Sequence, residues 1–516
     1  MSETNFKKAD LIAGWLVFLT ASISYLLTIE PTASYWDCGE FICTAYRQEV
    51  GHPPGAPFFM ILGRFFSLFA GGDVTKVAAM INSMSALASG FTVLFLYWSI
   101  THIAKRIICT KDISLFESFA IIGSGITGAL AFAYTDTFWF SAVEGEVYAM
   151  SSLFTALVFW CILKWEETSN EKYSNRWLIL ICYLMGLSIG VHLLNLLVIP
   201  AIVLVYYFKK YTITTKGIIK SLILSLIILA FVLYGIIPGV VYIASVFELI
   251  FTNGFGAPYN TGTIIYAVLG ISGLGYGLYY SFKNRKAVLN TVLLGITVII
   301  IGYSCFAMIV IRSMANPPMD ENNPDNVFAL QSYLNREQYG DRPLIFGEYY
   351  NSPSIGYEDG SPVYIQKNGR YEIADYKAKR RFETGSTTFF PRMFSQEPSH
   401  FKGYEHWAGV NKNDKPSFVQ NLKFFFDYQV GYMYLRYFLW NFVGRQNDIQ
   451  GHDENLINGN WISGIPFIDN ARLGDQDLLP DYLKNNKGRN RYFFLPLILG
   501  ILGMIFMLKS NAQGKR

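Results

Sequence analysis

Two acids three residues apart, Asp37 and Glu40, stand in Tyr35-Trp36-Asp37-Cys38-Gly39-Glu40-Phe41, and a histidine follows in Gly51-His52-Pro53-Pro54-Gly55-Ala56-Pro57. A second acidic pair, Glu144 and Glu146, flanks a glycine in Trp139-Phe140-Ser141-Ala142-Val143-Glu144-Gly145-Glu146-Val147-Tyr148, and His192 and Asn195 lie in Gly190-Val191-His192-Leu193-Leu194-Asn195. A carboxylate at the edge of an apolar medium loses hydration, its pKa rises toward neutrality, and it can take a proton from a hydroxyl at neutral pH. Asp37 is the candidate for that role.

Structure alone can also ask for these residues. Asp-x-x-Glu is the pattern of a capped helix N-terminus, with Asp37 capping a helix over about 38–48 and Glu40 at its third position. The two readings are compatible. Prolines explain the shape of the His52 turn without chemistry, Pro57 opening a helix at its first position. His52 could equally donate to a phosphate or a sugar hydroxyl. Glu144 and Glu146 could serve only the dipole of an exposed helix start. His192 and Asn195 sit at a hairpin tip in wholly apolar surroundings, where folding does not require them, so a functional role is expected.

The elements that position these residues are set by the solvent. Of the 516 residues, 52 % are hydrophobic and only 16 % charged, and the mean hydropathy is +0.27. The bilayer is that solvent. A hydrocarbon core about 30 Å thick needs roughly 20 apolar residues per helical span, and about ten such stretches occur, near 11–29, 77–100, 116–135, 147–163, 177–192, 194–208, 219–245, 261–282, 288–311 and 492–508. The first is long, lacks a small-residue cleavage pattern and is expected to stay as an anchor. Phe58 to Phe69 is apolar but short and interrupted by Gly63 and Arg64, so an interfacial or re-entrant helix is expected there.

Charge then sorts the loops. One alternating set carries eighteen lysines and arginines, among them Lys7, Lys8, Lys105, Arg106, Lys111, Lys209, Lys210, Lys283, Lys515 and Arg516, whereas the short loops opposite carry Arg47, Arg64 and Lys76. The positive-inside rule puts both termini in the cytoplasm and every acid named above on the outer side. The stretch from about 313 to 490 is then an exported α+β segment, giving three parts: 1–312 in the membrane, 313–490 outside, and 491–516 as a last anchor and tail. In that segment Pro343 to Gly347 reads as strand and Leu422 to Trp440 as an amphipathic helix. Trp407, Tyr428, Tyr432, Tyr434 and Trp440 are expected to anchor it at the interface rather than to bind an acceptor.

The six cysteines, Cys38, Cys43, Cys109, Cys161, Cys182 and Cys305, lie in or beside spans and imply no disulfide framework. Small residues in the second and third spans, such as Ser89, Gly90, Gly125 and Gly128, are expected to let helices approach closely. The chain contains no phosphate-binding glycine loop, dinucleotide fingerprint, zinc-type Cys/His spacing or nucleophile elbow. Its positive charges form no single basic stripe, so nucleic acid is set aside.

The four quoted stretches within an alternating multi-span body resemble the GT-C membrane glycosyltransferases. The likeness is to glycosyltransferase family 117, a group widespread in Bacteroidota and similar to protein O-mannosyltransferases of the plexin-modifying type. It is specific over roughly the first 210 residues and looser beyond; members of the group run longer, with further spans and a soluble C-terminal part. The resemblance implies a bacterial inner-membrane enzyme, active on the periplasmic side, that transfers mannose from a polyprenyl-phosphate donor to Ser or Thr hydroxyls of exported proteins. Inversion by a single carboxylate base fits such a displacement. Asp37 would be that base, Arg47, His52 and His192 would receive the departing phosphate, and Glu40, Glu144, Glu146 and Asn195 would bind donor or acceptor; metal dependence is left open. A transporter and a non-catalytic envelope scaffold are the alternatives, but ionisable residues at the midplane and repeated halves, which a transporter favours, are not seen.

Overall fold

The computed structural model describes residues 2–108, 113–340, 342–411, 414–451 and 455–509. Cys109, Lys111, Lys515 and Arg516, used above, lie outside them.

Among the described residues, eight helices are long and apolar enough to cross a membrane: Glu3–Leu27, Val74–Ile108, Leu115–Ala133, Val147–Thr168, Leu193–Lys210, Thr215–Gly254, Thr261–Lys283 and Ala287–Ser313. The protein is an α-helical polytopic membrane protein with a small sheet region. The fifth and tenth expected spans are helices of only 14 and 15 residues, Arg176–Ile189 and Leu495–Lys509. At 1.5 Å per residue they reach about 21–23 Å, short of a full crossing.

The first elements are α1 (Glu3–Leu27), α2 (Cys38–Arg47), α3 (Pro57–Ser67), α4 (Val77–Ile108), α5 (Leu115–Ala133), α6 (Asp136–Ala142), α7 (Val147–Thr168), α8 (Arg176–Ile189) and α9 (Ile199–Lys210). Local chemistry sets their ends. Pro57 occupies the first turn of α3, where its missing N–H is no loss. Ser114 and Glu117 close a reciprocal capping box on α5. The helix from Thr215 shifts into π geometry over Phe231–Ile236, immediately before Pro238, because proline removes an amide donor and crowds the turn preceding it.

Small residues fix the closest crossings. A side chain at Gly125 would run into Tyr97 and Thr101 of α4, and one at Gly90 into Phe18 and Ser22 of α1. A close backbone approach joins α8 to the helix Ala287–Tyr303: a Cβ at Gly186 would lie 2.8 Å from the Ile299 Cα, and one at Gly302 would meet the backbone of Gly186 and Leu187. Gly90, Gly125 and Gly128 therefore do the packing expected of small residues in these spans, whereas Gly123, expected to do the same, has nothing within 4 Å. Helix α3 buries Phe59, Met60 and Gly63 and exposes Phe65, Leu68 and Phe69 with the turn that follows it, the two-faced pattern of an interfacial helix.

Residue contacts divide the chain into two units, one running to Gln338 with Gln366–Tyr371, the other made of Tyr339–Ile365 with Glu372–Lys509. In the second, β1 (Phe346–Glu348) pairs antiparallel with β4 (Thr387–Phe389), Gly347 opposite Thr388. The long strands β2 (Ser354–Lys367) and β3 (Arg370–Phe382) form a hairpin whose tip, Gln366–Tyr371, counts with the first unit and turns at Asn368 and Gly369, both at positive φ, the turn that matches strand twist. The residues from Phe418 to Phe442 are helical throughout, with a π stretch over Phe425–Leu435. The anchoring role expected for the aromatics fails for two of them: Trp407 and Tyr432 are buried and form this unit's core with Tyr350, Met393, Tyr404 and Phe424. Ring stacking among Trp407, Tyr428 and Tyr432 fills a core that has few aliphatic side chains. Tyr434 alone of the five is largely exposed.

Candidate active site

Asp37 occupies the N-cap position of α2, as its spacing predicts, but its side chain makes no cap hydrogen bond. The residue is in the helical region and its carboxylate stays over half exposed, at 57 %. Trp36 beside it is 81 % exposed and left-handed, at φ 62°, a conformation few bulky residues adopt. The capping box also fails to form, because Glu40 turns away from the N-cap. Its Oε1 accepts the His52 backbone N–H at 2.7 Å and pairs with Nδ1 of the same residue at 2.8 Å. Gly51 leaves the space for that oxygen; a Cβ there would collide with it.

The Glu40 contact fixes the histidine. With Nδ1 committed to Glu40, Nε2 is directed at Asp37, 4.0 Å from its Oδ2, and the edge of Phe41 holds the ring at 5.5 Å. The Glu40 hydrogen bond raises the His52 pKa against the opposing effect of burial, with Asp37 and Glu321 adding to the rise. Burial pushes the Glu40 carboxyl up, but the ring and backbone bonds of His52 outweigh it and hold it below the usual range.

Pins from far along the chain hold the turn. Tyr333, almost fully buried, donates its hydroxyl to the Gly51 carbonyl at 2.5 Å. Arg312 Nε donates to the Gln48 carbonyl at 2.5 Å, and Val50 pairs with the backbone of Met319 and Glu321. Arg312 and Tyr333 carry no local signal that would have singled them out. At the other end of the loop, Asn82 Nδ2 in α4 donates to the carbonyls of Glu30 and Thr32, and the Glu30 amide donates to the Val143 carbonyl.

That last contact brings the two acidic stretches together. Glu144 and Glu146 are buried, at 4 % and 6 % exposure, not at the exposed helix start their spacing suggested. Glu144 Oε2 has no hydrogen-bond partner among the described residues, and burial raises the carboxyl's pKa against the opposing bond from Ser34. Glu146 caps α7 by accepting the Val147 N–H at 3.0 Å; burial, with Glu144 and Asp37 nearby, pushes it up to about 7. The desolvated carboxylates of this face are thus Glu144 and Glu146, whereas Asp37 is the accessible one.

The remaining candidates make their contacts with other residues. Arg47 ends the helix that Asp37 opens, about 14 Å away along its axis, and pairs with the buried Glu49 at 2.7 Å. His192 accepts the Leu194 N–H through Nδ1 and lies against the Tyr148 ring at 5.4 Å; burial lowers its pKa. Asn195 is buried and accepts from Ser151 at 2.6 Å and Thr155 at 3.3 Å, pinning the hairpin to α7. Among the described residues no three His, Cys, Asp or Glu side chains come together as a metal ion would need.

The segment from Asp37 through the Glu144–Glu146 loop to the His192 hairpin is a unit in sequence comparison too. Residues 37–215 match the protein O-mannosyl-transferase TMEM260 N-terminal domain. Within the matched residues lie all eight candidates, from Asp37 to Asn195. The chain is similar to protein O-mannosyl-transferase tmem260 of Dictyostelium discoideum, 28 % identical over 204 residues, 38 % of this chain and 23 % of the relative. It is similar as well to protein O-mannosyl-transferase TMEM260 of Mus musculus, 26 % identical over 177 residues, 34 % of this chain and 22 % of the relative. The matched part thus spans less than a quarter of either relative. Residues 340–426 match a separate family of unknown function.

Proposed function

We propose that the chain is a membrane glycosyltransferase that moves mannose from a polyprenyl-phosphate donor to Ser or Thr hydroxyls of exported proteins. The observation that carries this reading is the carboxylate of Asp37, placed at a helix start yet left out of the cap and faced by a histidine that Glu40 orients. The acceptor oxygen attacks the anomeric carbon, Asp37 takes its proton, and the bond to the lipid phosphate breaks with inversion. Binding of donor and acceptor over Asp37 supplies the desolvation that the free site lacks.

His52, with its raised pKa, carries a proton on Nε2 that can be offered to the departing phosphate. Glu146 and Glu144, poised to hold protons or to accept hydroxyls, line the sugar side. Neutral His192, whose Nδ1 accepts the Leu194 N–H, keeps its proton on Nε2 and serves as a second donor, and Arg47 reaches phosphate only by leaving Glu49. The similarity to named protein O-mannosyl-transferases supports the reaction class. The loop charges support an orientation with both termini in the cytoplasm and this face outside, which the family resemblance makes the periplasm of a bacterial inner membrane.

The test is Asp37→Asn. A general base contributes on the order of 10²–10⁴-fold, so mannose on envelope proteins, read by intact-glycan mass analysis, should fall to background while the variant inserts at the normal level. An unchanged glycan profile would overturn the assignment. Substrate flux into proteoliposomes that survives the substitution would favour a transporter instead.

A further inference from the structure

In the second unit a cavity of about 670 Å³ opens between the helix that runs from Phe418 to Phe442 and the loops on either side of Trp461. Its lining combines three kinds of chemistry. Lys423, Arg436 and Arg472 are cationic, Asp427 is the one carboxylate among the described residues of the lining, and Phe426, Tyr432 and Trp461 are aromatic.

Arg436 is the decisive residue. It is only 9 % exposed, and its guanidinium is spread over the Tyr432 ring at 4.0 Å from the centroid. Nε donates to the Tyr432 carbonyl and one terminal nitrogen to the Gly459 carbonyl, at 3.1 and 2.8 Å. No carboxylate among the described residues pairs with it. A buried cation without a counter-ion is costly unless an anion completes it. Arg472, stacked on Trp461 at 3.4 Å from the centroid, repeats the arrangement at the exposed rim.

We infer that this cavity binds an anionic saccharide, a sugar bearing a phosphate or a carboxylate. The guanidinium groups match the oxygen fork of either anion. A site for a bare anion would not include Asp427, but a carboxylate in the lining is suited to sugar hydroxyls, which can donate to it. The exposed ring of Phe426 gives an apolar surface for the sugar's C–H groups. The volume falls within the roughly 300–1,000 Å³ of small-ligand sites. None of this depends on the first unit: the inference stands whether or not that unit transfers a sugar.

The experiment uses the full chain in detergent and follows tryptophan fluorescence on titration with mannose 6-phosphate, galacturonate, mannose, inorganic phosphate and adenosine monophosphate. Mannose 6-phosphate or galacturonate should give a saturable change at least tenfold tighter than mannose or inorganic phosphate. Arg472→Gln, at the rim, and Asp427→Asn should each weaken it tenfold or more, with far-UV circular dichroism unchanged. Arg436→Gln should abolish it. Equal affinity for inorganic phosphate and mannose 6-phosphate would reduce the site to an anion hole, and tighter binding of adenosine monophosphate would make it a nucleotide site. Either result overturns the inference, as does the absence of saturable binding by both charged sugars.

Discussion

Glu40 Oε1 accepts both the backbone N–H and the ring Nδ1 of His52, twelve positions away, at 2.7 and 2.8 Å. One carboxylate oxygen thereby sets the place and the orientation of the imidazole that faces Asp37. The two residues should act as one device. Glu40→Ala and His52→Ala should each slow sugar transfer by on the order of a hundredfold, the cost of a misplaced group at a reacting centre, and the double variant should be no slower than the slower single one. Initial rates with a lipid-linked mannose donor decide it; multiplicative losses would mean the pair is not coupled.

Glu146 gives a pH signature in stability. Its folded pKa, about 7, lies above the ordinary 4.5, so its contribution is whole below about pH 4.5 and is lost as pH rises through about 7. The charged form carries a burial cost of about 3 kcal/mol. His52, also raised, loses its contribution in the same direction, as pH climbs through its folded value. Glu146→Gln should therefore raise the thermal midpoint in detergent at about pH 8 relative to the parent chain and leave it unchanged at about pH 5. Equal shifts at both would remove the basis of the claim.

Asn195 separates a binding role from a packing one. Its contacts to Ser151 and Thr155 are internal, so Asn195→Ala should cost about 1–3 kcal/mol of stability by stranding buried partners, visible as a lower thermal midpoint. A raised KM for donor with an unchanged midpoint would instead assign it to substrate.

Gly186 tests the helix crossing. With the Ile299 backbone where a Cβ would fall, Gly186→Leu should destabilise the chain by about 1–3 kcal/mol through overpacking. Gly123→Leu, where nothing lies within 4 Å, is the control and should unfold with the parent.

Much of the architecture was legible because a bilayer imposes one strong rule, twenty apolar residues in a row, and all ten expected stretches are helical. The run at 177–192 is α-helical only to Ile189, because the helix breaks at Gly190 and His192 before the next one begins. Within the site, the sequence placed Asp37 at its helix start but not the fate of Glu40, since a capping box and a bond to His52 begin from the same spacing. The burial of Glu144 and Glu146 was hidden because it depends on the neighbouring loop, pinned through Glu30 and Asn82. Hydropathy likewise cannot tell an aromatic that faces lipid from one that fills a protein core, so Trp407 and Tyr432 were misassigned.

The pins on the His52 turn also order events during synthesis. Tyr333 follows His52 by 281 positions, and at roughly 5–20 residues per second a ribosome needs about 15–60 s to cover that distance. Through that interval the acidic loop exists without the hydroxyl and guanidinium that fix it. The site is therefore assembled late in biogenesis, after the Ala287–Ser313 helix has been made, and an isolated 37–215 fragment would carry its acids without Arg312 and Tyr333 to hold the turn in place.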